Sequence, residues 1–104
     1  LLTINSEKLM FPVGLITWDE LSFAGGVWWN PNEKYYLHSG SYYWTMTPTG
    51  FVESKAGVGI TNYNGEPYFA YVYAEHGIRP VLSLKPSVRI TSGDGTETNP
   101  FIVN

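Results

Sequence analysis

Hydrophobic and polar residues follow a helical pattern only near the start of this 104-residue chain. The run Thr17-Trp-Asp-Glu20 has the form of a capping box, and Gly25-Gly26 ends the segment that follows. Apolar residues recur between them at helical spacing, so the pattern predicts a short helix over residues 18–24. A preceding turn of helix near residues 5–10, stopped by Pro12, is the second helix that the pattern allows.

The rest of the chain has short runs rich in Tyr, Val, Ile and Trp, separated by clusters of Gly, Pro, Asn and Ser. This pattern is typical of strands and turns. The Asn64-Gly65 dipeptide suits a tight hairpin turn, so we expect antiparallel pairing of the strands on either side. In the second strand we expect Trp44 to face the core. The predicted strands are residues 35–37, 42–47, 57–62, 68–73 and 79–84.

The end of the chain predicts a terminal β-hairpin, because alternating apolar residues flank a Gly-Asp-Gly sequence between Val88 and Val103. Pro86 is the best boundary, giving a main body over residues 1–86 and a hairpin over 87–104. The length suits a single domain. Together the elements predict an α+β fold: a small twisted antiparallel sheet, one or two short N-terminal helices and a C-terminal β-hairpin tail.

Charge and composition exclude several classes of protein. Nine acidic and six basic residues give a net charge of −3 and are scattered singly, so nucleic acid is not an expected partner. No run approaches the ~20 apolar residues of a membrane span, so we expect no membrane contact by this fragment. The start lacks both an initiator Met and a signal sequence. We therefore expect the C-terminal part of a longer protein, whose anchor lies outside this chain.

Three stretches resemble, in order and spacing, a family of uncharacterised surface domains of Gram-positive bacteria. They are GLITWDELSFAGG, YYWTMTPTGF and GIRPVLSLKPSVRITSGDGTETNPFIV, and they cover about half the chain. Members often follow a pilin-like segment or another anchor, so the resemblance implies an extracellular, surface-attached location. At greater distance the layout resembles the sulfatase-modifying-factor branch of the C-type lectin-like fold, which implies that fold.

Enzymes of that branch use an active-site cysteine pair, and related iron enzymes use a histidine cluster. This chain has no cysteine, and its histidines are His38 and His76 alone. Neither histidine has a partner at ligand spacing. We therefore expect no catalytic residue, no metal site and no cofactor.

The carboxylates fit structural roles better than chemical ones. Asp19 and Glu20 suit the helix N-terminus. Asp94 and Glu97 suit a turn, since most ligand positions of a calcium loop are missing around them. We expect Arg79 to form an ion pair with Glu20 or Asp19, which would tie the last strand of the main body to the helix.

Aromatic residues carry the binding hypothesis, because four Trp, eight Tyr and five Phe are more than so small a core can easily bury. Residues 27–34 and 62–68 place several rings in turn-rich segments. In the C-type lectin-like fold the corresponding loops usually meet the partner, so the resemblance implies that these segments approach each other. Their rings could form a flat contact surface, or alternatively cover the thin core as lids. The candidate ligand-binding residues are Trp28, Trp29, Tyr35, Tyr63, Asn64, Glu66 and Tyr68.

These observations predict a non-catalytic, extracellular ligand-binding or display domain of a bacterial surface protein. Its partner would be a glycan or a protein on a cell surface. The alternative is a structural head domain of a pilin-like or other surface filament, in which the same aromatics pack against neighbouring protomers. An enzyme is the third reading.

Overall fold

A computed structural model describes residues 12–104 of the chain as a small α+β domain with one short helix and antiparallel strand pairs. This coarse class agrees with the sequence, whereas the second predicted helix, near residues 5–10, lies outside the described residues. Within residues 12–104 no helix has the length and apolar character needed to cross a membrane. In chain order the elements are β1 Val13–Gly14, α1 Trp18–Ala24, β2 Tyr43–Val52, β3 Lys55–Thr61, β4 Pro67–Tyr71, β5 Val81–Leu82, β6 Ile90–Ser92 and β7 Ile102–Val103.

Helix α1 has the predicted bounds, and the capping box explains where it begins. The Thr17 hydroxyl accepts a hydrogen bond from the Glu20 N–H at 3.2 Å. In return the Glu20 carboxylate accepts one from the Thr17 N–H at 2.8 Å. The helix ends at Gly25 and buries Leu21 completely.

The central sheet has the order β2-β3-β4, and all of its pairing is antiparallel. The pairing of β3 with β4 confirms the prediction made from Asn64-Gly65. The connection is a loop over residues 62–66 rather than a two-residue turn, since Thr61 pairs with Pro67. The Asn62 side-chain carbonyl organises this loop by accepting the N–H groups of residues 64 and 66.

Strand β2 extends beyond its predicted end at residue 47. Pro48 and Gly50 are residues that usually end a strand, but the structure places them at register shifts inside β2. Bulges of this kind accept residues that would interrupt a regular ladder. The strand continues to a turn at Glu53 and Ser54, which have φ angles of 48° and 66°.

Two smaller pairs complete the strands of the described residues: β1 with β5, and β6 with β7. The prediction of a single sheet is therefore wrong, because the strands of the described residues form three separate small sheets. The predicted strand over residues 35–37 is also wrong. That segment turns, and the His38 N–H donates to the Tyr35 carbonyl at 3.0 Å. The predicted strand over residues 79–84 shortens to β5, after Pro80, which has no N–H to donate.

The core lies between α1, the turn at residues 35–37 and one face of β2. Tyr43 and Thr45 of β2 are 3% and 1% exposed. Because side chains alternate along a strand, Trp44 lies on the opposite face, where it is only partly buried. Our choice of Trp44 for the core is therefore wrong. The main cluster is Ile16, Leu21, Tyr35, Leu37 and Tyr43, with Trp18 and Ala24 packed against it.

Arg79 does not take the predicted partner. Its Nη1 donates to the Leu37 carbonyl at 2.8 Å, and its guanidinium lies 5.6 Å from the centre of the Tyr43 ring. Glu20 is occupied by the capping box. Arg79 therefore ties the segment before β5 to the turn at residues 35–37 and not to the helix.

Candidate binding surface

The two turn-rich segments lie side by side, as predicted. The Asn32 N–H donates to the Asn64 carbonyl at 3.1 Å, and the Tyr35 hydroxyl donates to the Gly65 carbonyl at 2.7 Å. Gly65 has a φ of +84°, and a Cβ atom there would lie 2.2 Å from the Asn32 carbonyl oxygen. Only glycine allows this contact, which fixes the loop over residues 62–66 against the segment before it.

Trp28 and Trp29 occupy the middle of a tight turn, which the Asn30 N–H closes by donating to the Val27 carbonyl at 3.2 Å. Trp29 has a φ of 61°, in the left-handed region that bulky residues rarely adopt. The turn leaves Trp29 79% exposed and Trp28 36% exposed. Backbone strain of this kind is concentrated at functional sites.

A continuous chain of ring contacts extends from Trp18 to Tyr73, and we call five of its rings the aromatic surface: Trp18, Trp28, Trp29, Tyr68 and Phe69. Trp28 is its centre. Its ring stacks on Tyr68, with centroids 5.6 Å apart, and meets the edges of Trp18 at 5.4 Å and Trp29 at 5.9 Å. Phe69 stacks on Tyr68 at 5.4 Å. The cluster thus joins α1, the tryptophan turn and β4.

An open cleft of about 350 Å³ lies beside the aromatic surface. It extends toward the far end of the β2–β3 hairpin, so that a side chain entering it would be enclosed largely by apolar groups. The side-chain hydroxyls of the cleft wall are those of Thr49 and Tyr71. The lining residues are Trp18, Trp28, Thr49, Gly50, Phe51, Val52, Gly57, Phe69 and Tyr71.

Two glycines of β3 make room for this arrangement. A Cβ atom at Gly57 would lie 2.5 Å from the Thr49 hydroxyl, and one at Gly59 would lie 2.4 Å from Trp18 Nε1. Trp18 Nε1 is buried and has no hydrogen-bond acceptor among residues 12–104. Burying such a donor without an acceptor lowers the stability of the fold by about 1–3 kcal/mol. This is the cost of placing the Trp18 ring in the cleft wall.

Tyr35, one of the predicted contact residues, does not belong to the surface. It is 9% exposed within the core. Burial raises the pKa of its hydroxyl to about 12. The prediction that Tyr35 contacts a ligand is therefore wrong, because the ring packs inward to hold the loop over residues 62–66.

Tyr63 is 57% exposed but lies in a second cluster. Its ring contacts Tyr42 at 5.8 Å, and Tyr42 stacks on His76 at 5.3 Å. The Tyr63 ring therefore has no direct contact with the Trp28 ring, whereas the Tyr68 ring stacks on it.

Asn64 and Glu66 are partly buried and act within their own loop. The Glu66 carboxylate accepts from Asn62 Nδ2 at 2.9 Å, and the Asn64 N–H donates to the Asn62 side chain at 3.2 Å. Of the predicted site residues, Trp28, Trp29 and Tyr68 come together. The structure adds Trp18, Phe51, Phe69 and Tyr71, which the sequence analysis missed. The alternating glycines of the run Gly57-Val-Gly59 were the available signal for a cleft there.

No three His, Asp or Glu side chains of the described part of the chain come close enough to hold a metal ion. The Asp94 carboxylate instead accepts from the Thr96 hydroxyl at 2.7 Å and from the Thr96 N–H at 3.0 Å. These hydrogen bonds lower the pKa of Asp94, and the bond from the Thr96 hydroxyl has the largest effect. The Gly-Asp-Gly-Thr sequence therefore has the turn chemistry that we predicted.

Comparison with models of protein families, with curated proteins and with solved structures found no match for this chain.

Proposed function

We propose that this chain is a non-catalytic ligand-binding domain, which holds its partner against the aromatic surface and the cleft beside it. The observation that carries the proposal is the exposed cluster of Trp28, Trp29 and Tyr68, whose central ring, Trp28, also lines the cleft. Rigid aromatic rings supply much of the binding energy in protein recognition. The strained turn at Trp29 supports the proposal, since it holds a large apolar ring in water.

A protein partner fits the cleft better than a glycan does. Sugar hydroxyls that enter a cleft need hydrogen-bonding groups to replace water. The wall offers few such groups, because most of its residues are tryptophan, phenylalanine, tyrosine, valine or glycine. An apolar side chain projecting from a protein surface would fill this space and gain buried area.

The proposal includes an extracellular, surface-attached location, supported by the resemblance of three stretches to Gram-positive surface domains. It also includes a C-type lectin-like fold with residues 87–104 as a C-terminal hairpin. The antiparallel pairing of β6 with β7 supports the hairpin. The position of α1, ending in Gly25-Gly26 before the Trp44-bearing strand, is consistent with the lectin-like layout.

The test is selection of displayed peptides on the immobilised domain, followed by titration of the selected peptides against variants. We expect Trp29→Ala and Phe51→Ala each to weaken binding at least about tenfold, as for central aromatic contacts. Tyr36→Ala is the matched control, since Tyr36 is 77% exposed and lies outside the cleft and the aromatic surface. Binding that survives both Trp29→Ala and Phe51→Ala would contradict the proposal, as would selection of no peptide by a domain that binds oligosaccharides.

The alternative, a structural head domain of a surface filament, uses the same rings against neighbouring protomers. It is distinguished by self-assembly that requires the aromatic surface. Trp29→Ala would then block assembly, whereas Tyr36→Ala would not.

A further inference from the structure

We propose that the outer edge of β4 pairs with β4 of a second copy of this chain, antiparallel and about a two-fold axis at Phe69. This inference goes beyond the proposed binding function, because it concerns backbone groups and needs no other partner, although the Phe69 side chain also lines the cleft. Among the described residues, β3 is the one strand that pairs with β4, so the other edge of β4 is open.

The pattern of hydrogen bonds identifies which groups point outward. The Asn62 N–H donates to the Glu66 carbonyl at 2.9 Å, and the Val72 N–H donates to the Ala56 carbonyl at 3.0 Å. Antiparallel partners alternate between bonded and non-bonded pairs. Counting from both ends, the pairs of β3 with Pro67, Phe69 and Tyr71 are the non-bonded ones. The backbone N–H and C=O groups of these three residues therefore face away from β3.

At two of the outward positions, one of the two backbone groups needs no partner. Pro67 has no N–H, and the Tyr71 carbonyl accepts from the Ala74 N–H at 2.9 Å. The groups left for a partner are the N–H of Phe69 and Tyr71 and the carbonyls of Pro67 and Phe69. Donors and acceptors are thus equal in number.

A second copy satisfies all of these groups in one register. With Phe69 opposite Phe69, each Phe69 N–H donates to the Phe69 carbonyl of the other copy. Each Tyr71 N–H donates to the opposite Pro67 carbonyl. The missing N–H of Pro67 then faces the Tyr71 carbonyl, which is already bonded. Placing Phe69 opposite Tyr71 instead would direct the Phe69 N–H at that occupied carbonyl, so the two-fold register is favoured.

The charges beside β4 are complementary in the same register. Lys55 Nζ lies 5.5 Å from the centre of the Tyr71 ring, at one end of the strand. Glu66 precedes Pro67 at the other end. Antiparallel pairing brings the Lys55 end of each copy beside the Glu66 end of the other, which gives two attractive charge pairs.

The two outer edges of the central sheet are treated differently. At the start of β2 the backbone is covered, since Trp44 and Met46 donate to the carbonyls of Gly77 and Ile16. Strand β4 begins with Pro67 but carries no charged side chain, which is another feature that protects open edges. Pairing requires the stacked rings of Tyr68 and Phe69 to rotate apart. Both are more than a third exposed, so this rotation is fast.

The first test is sedimentation of the full chain from micromolar to millimolar concentration. We expect a reversible dimer. Phe69→Pro removes an outward N–H without breaking a bond to β3, so it should weaken dimerisation at least about tenfold, by loss of two hydrogen bonds at the axis. Phe69→Ala, the matched control, keeps that N–H and should dimerise more strongly than Phe69→Pro. Equal dimerisation by the two variants would overturn the proposal.

The second test uses the unaltered chain, so it does not depend on how the variants fold. Backbone hydrogen exchange of Phe69 and Tyr71 should be rapid in dilute protein and at least about tenfold slower where the dimer predominates. A chain that stays monomeric at millimolar concentration would overturn the proposal, as would a dimer with unprotected Phe69. Protection of a monomer by an added extended peptide would assign the edge to peptide binding instead. Loss of peptide binding by Trp29→Ala and Phe51→Ala is measured separately, so either proposal can fail alone.

Discussion

At the scale of single residues, Tyr35 shows how one side chain joins parts of the chain that are distant in sequence. Its ring packs in the core beside Leu21, and its hydroxyl reaches the Gly65 carbonyl. Burial, and then the nearby Tyr43, raises the pKa of Tyr35 to about 12, although the positive charge of Arg79 opposes this rise. The folded protein therefore favours the protonated hydroxyl.

This raised pKa predicts a loss of stability at alkaline pH. In the unfolded chain Tyr35 loses its proton near its ordinary pKa of 10, whereas in the folded chain it keeps the proton to about 12. Its contribution is therefore fully present below pH 10 and decreases between about pH 10 and 12, by at most about 2–3 kcal/mol. Urea unfolding at several pH values would measure it. Tyr35→Phe should show a shallower alkaline decrease, and an equal decrease would contradict the assignment.

Gly65 makes a second prediction at this scale. Gly65→Ala should destabilise the domain by more than about 2 kcal/mol, through both positive φ and collision with the Asn32 carbonyl. Gly40→Ala is the control, because Gly40 has a φ of +69° but nothing within 4 Å of the added carbon. It should cost about 1 kcal/mol from backbone strain alone. Equal losses in thermal or urea unfolding would show that the close contact at Gly65 does not matter.

At the scale of elements, α1 is stabilised mainly at its two ends and by one buried residue. Seven residues are too few for an isolated helix in water, so the capping box and the burial of Leu21 both contribute. The hydrogen bond from the Thr17 N–H is the largest cause that lowers the pKa of Glu20, although partial burial opposes it.

The capping box predicts sensitivity to acid. Because the pKa of Glu20 is lowered in the folded state, its contribution is present above its ordinary value of 4.5 and is lost as pH falls below it. Glu20→Gln should make the stability curve shallower between about pH 5 and 3. Thr17→Ala should cost about 1 kcal/mol at neutral pH. Ser22→Ala, an exposed change in the same helix, is the control and should cost less than about 0.5 kcal/mol.

At the scale of the whole molecule, the described residues form a flat shape of 50 × 37 × 23 Å, with a radius of gyration of 15.5 Å. A compact domain of this length would have about 13 Å. The difference has a visible source in the last part of the chain, where every residue after Val88 except Gly93 is exposed. The β6–β7 pair therefore adds little to the core.

This shape predicts that the tail is dispensable for folding. Deleting residues 87–104 should change the free energy of unfolding by less than about 1 kcal/mol, because the deleted side chains bury little apolar area. Urea unfolding of the truncated chain would measure this. Deletion of β5 as well, from Val81 onward, is the contrasting variant and should cost more, since β5 pairs with β1. A loss above about 2 kcal/mol from the shorter deletion would show that the tail packs on the body.

The sequence by itself determined the features that depend on neighbouring residues. The capping box, the end of α1 at Gly25 and the antiparallel pairing around Asn64-Gly65 all involve contacts within a few residues. Such contacts are set by local geometry, so sequence patterns predict them. The approach of the two turn-rich segments, and the place of Trp28 and Tyr68 in one cluster, were expected from the resemblance to a known layout and not from contacts between neighbouring residues.

Tertiary structure decided everything that required a choice between equivalent faces or distant partners. Alternation along β2 offers two faces, and packing against α1 and residues 35–37 selected Tyr43 for the core over Trp44. The same packing buried Tyr35 and gave Arg79 the Leu37 carbonyl as its partner. The space at the cleft arose from two glycines of β3, of which Gly59 faces Trp18 and Gly57 faces Thr49, residues more distant in sequence than a local turn. These outcomes depend on which elements meet, and burial and close packing decide that only when the whole chain folds.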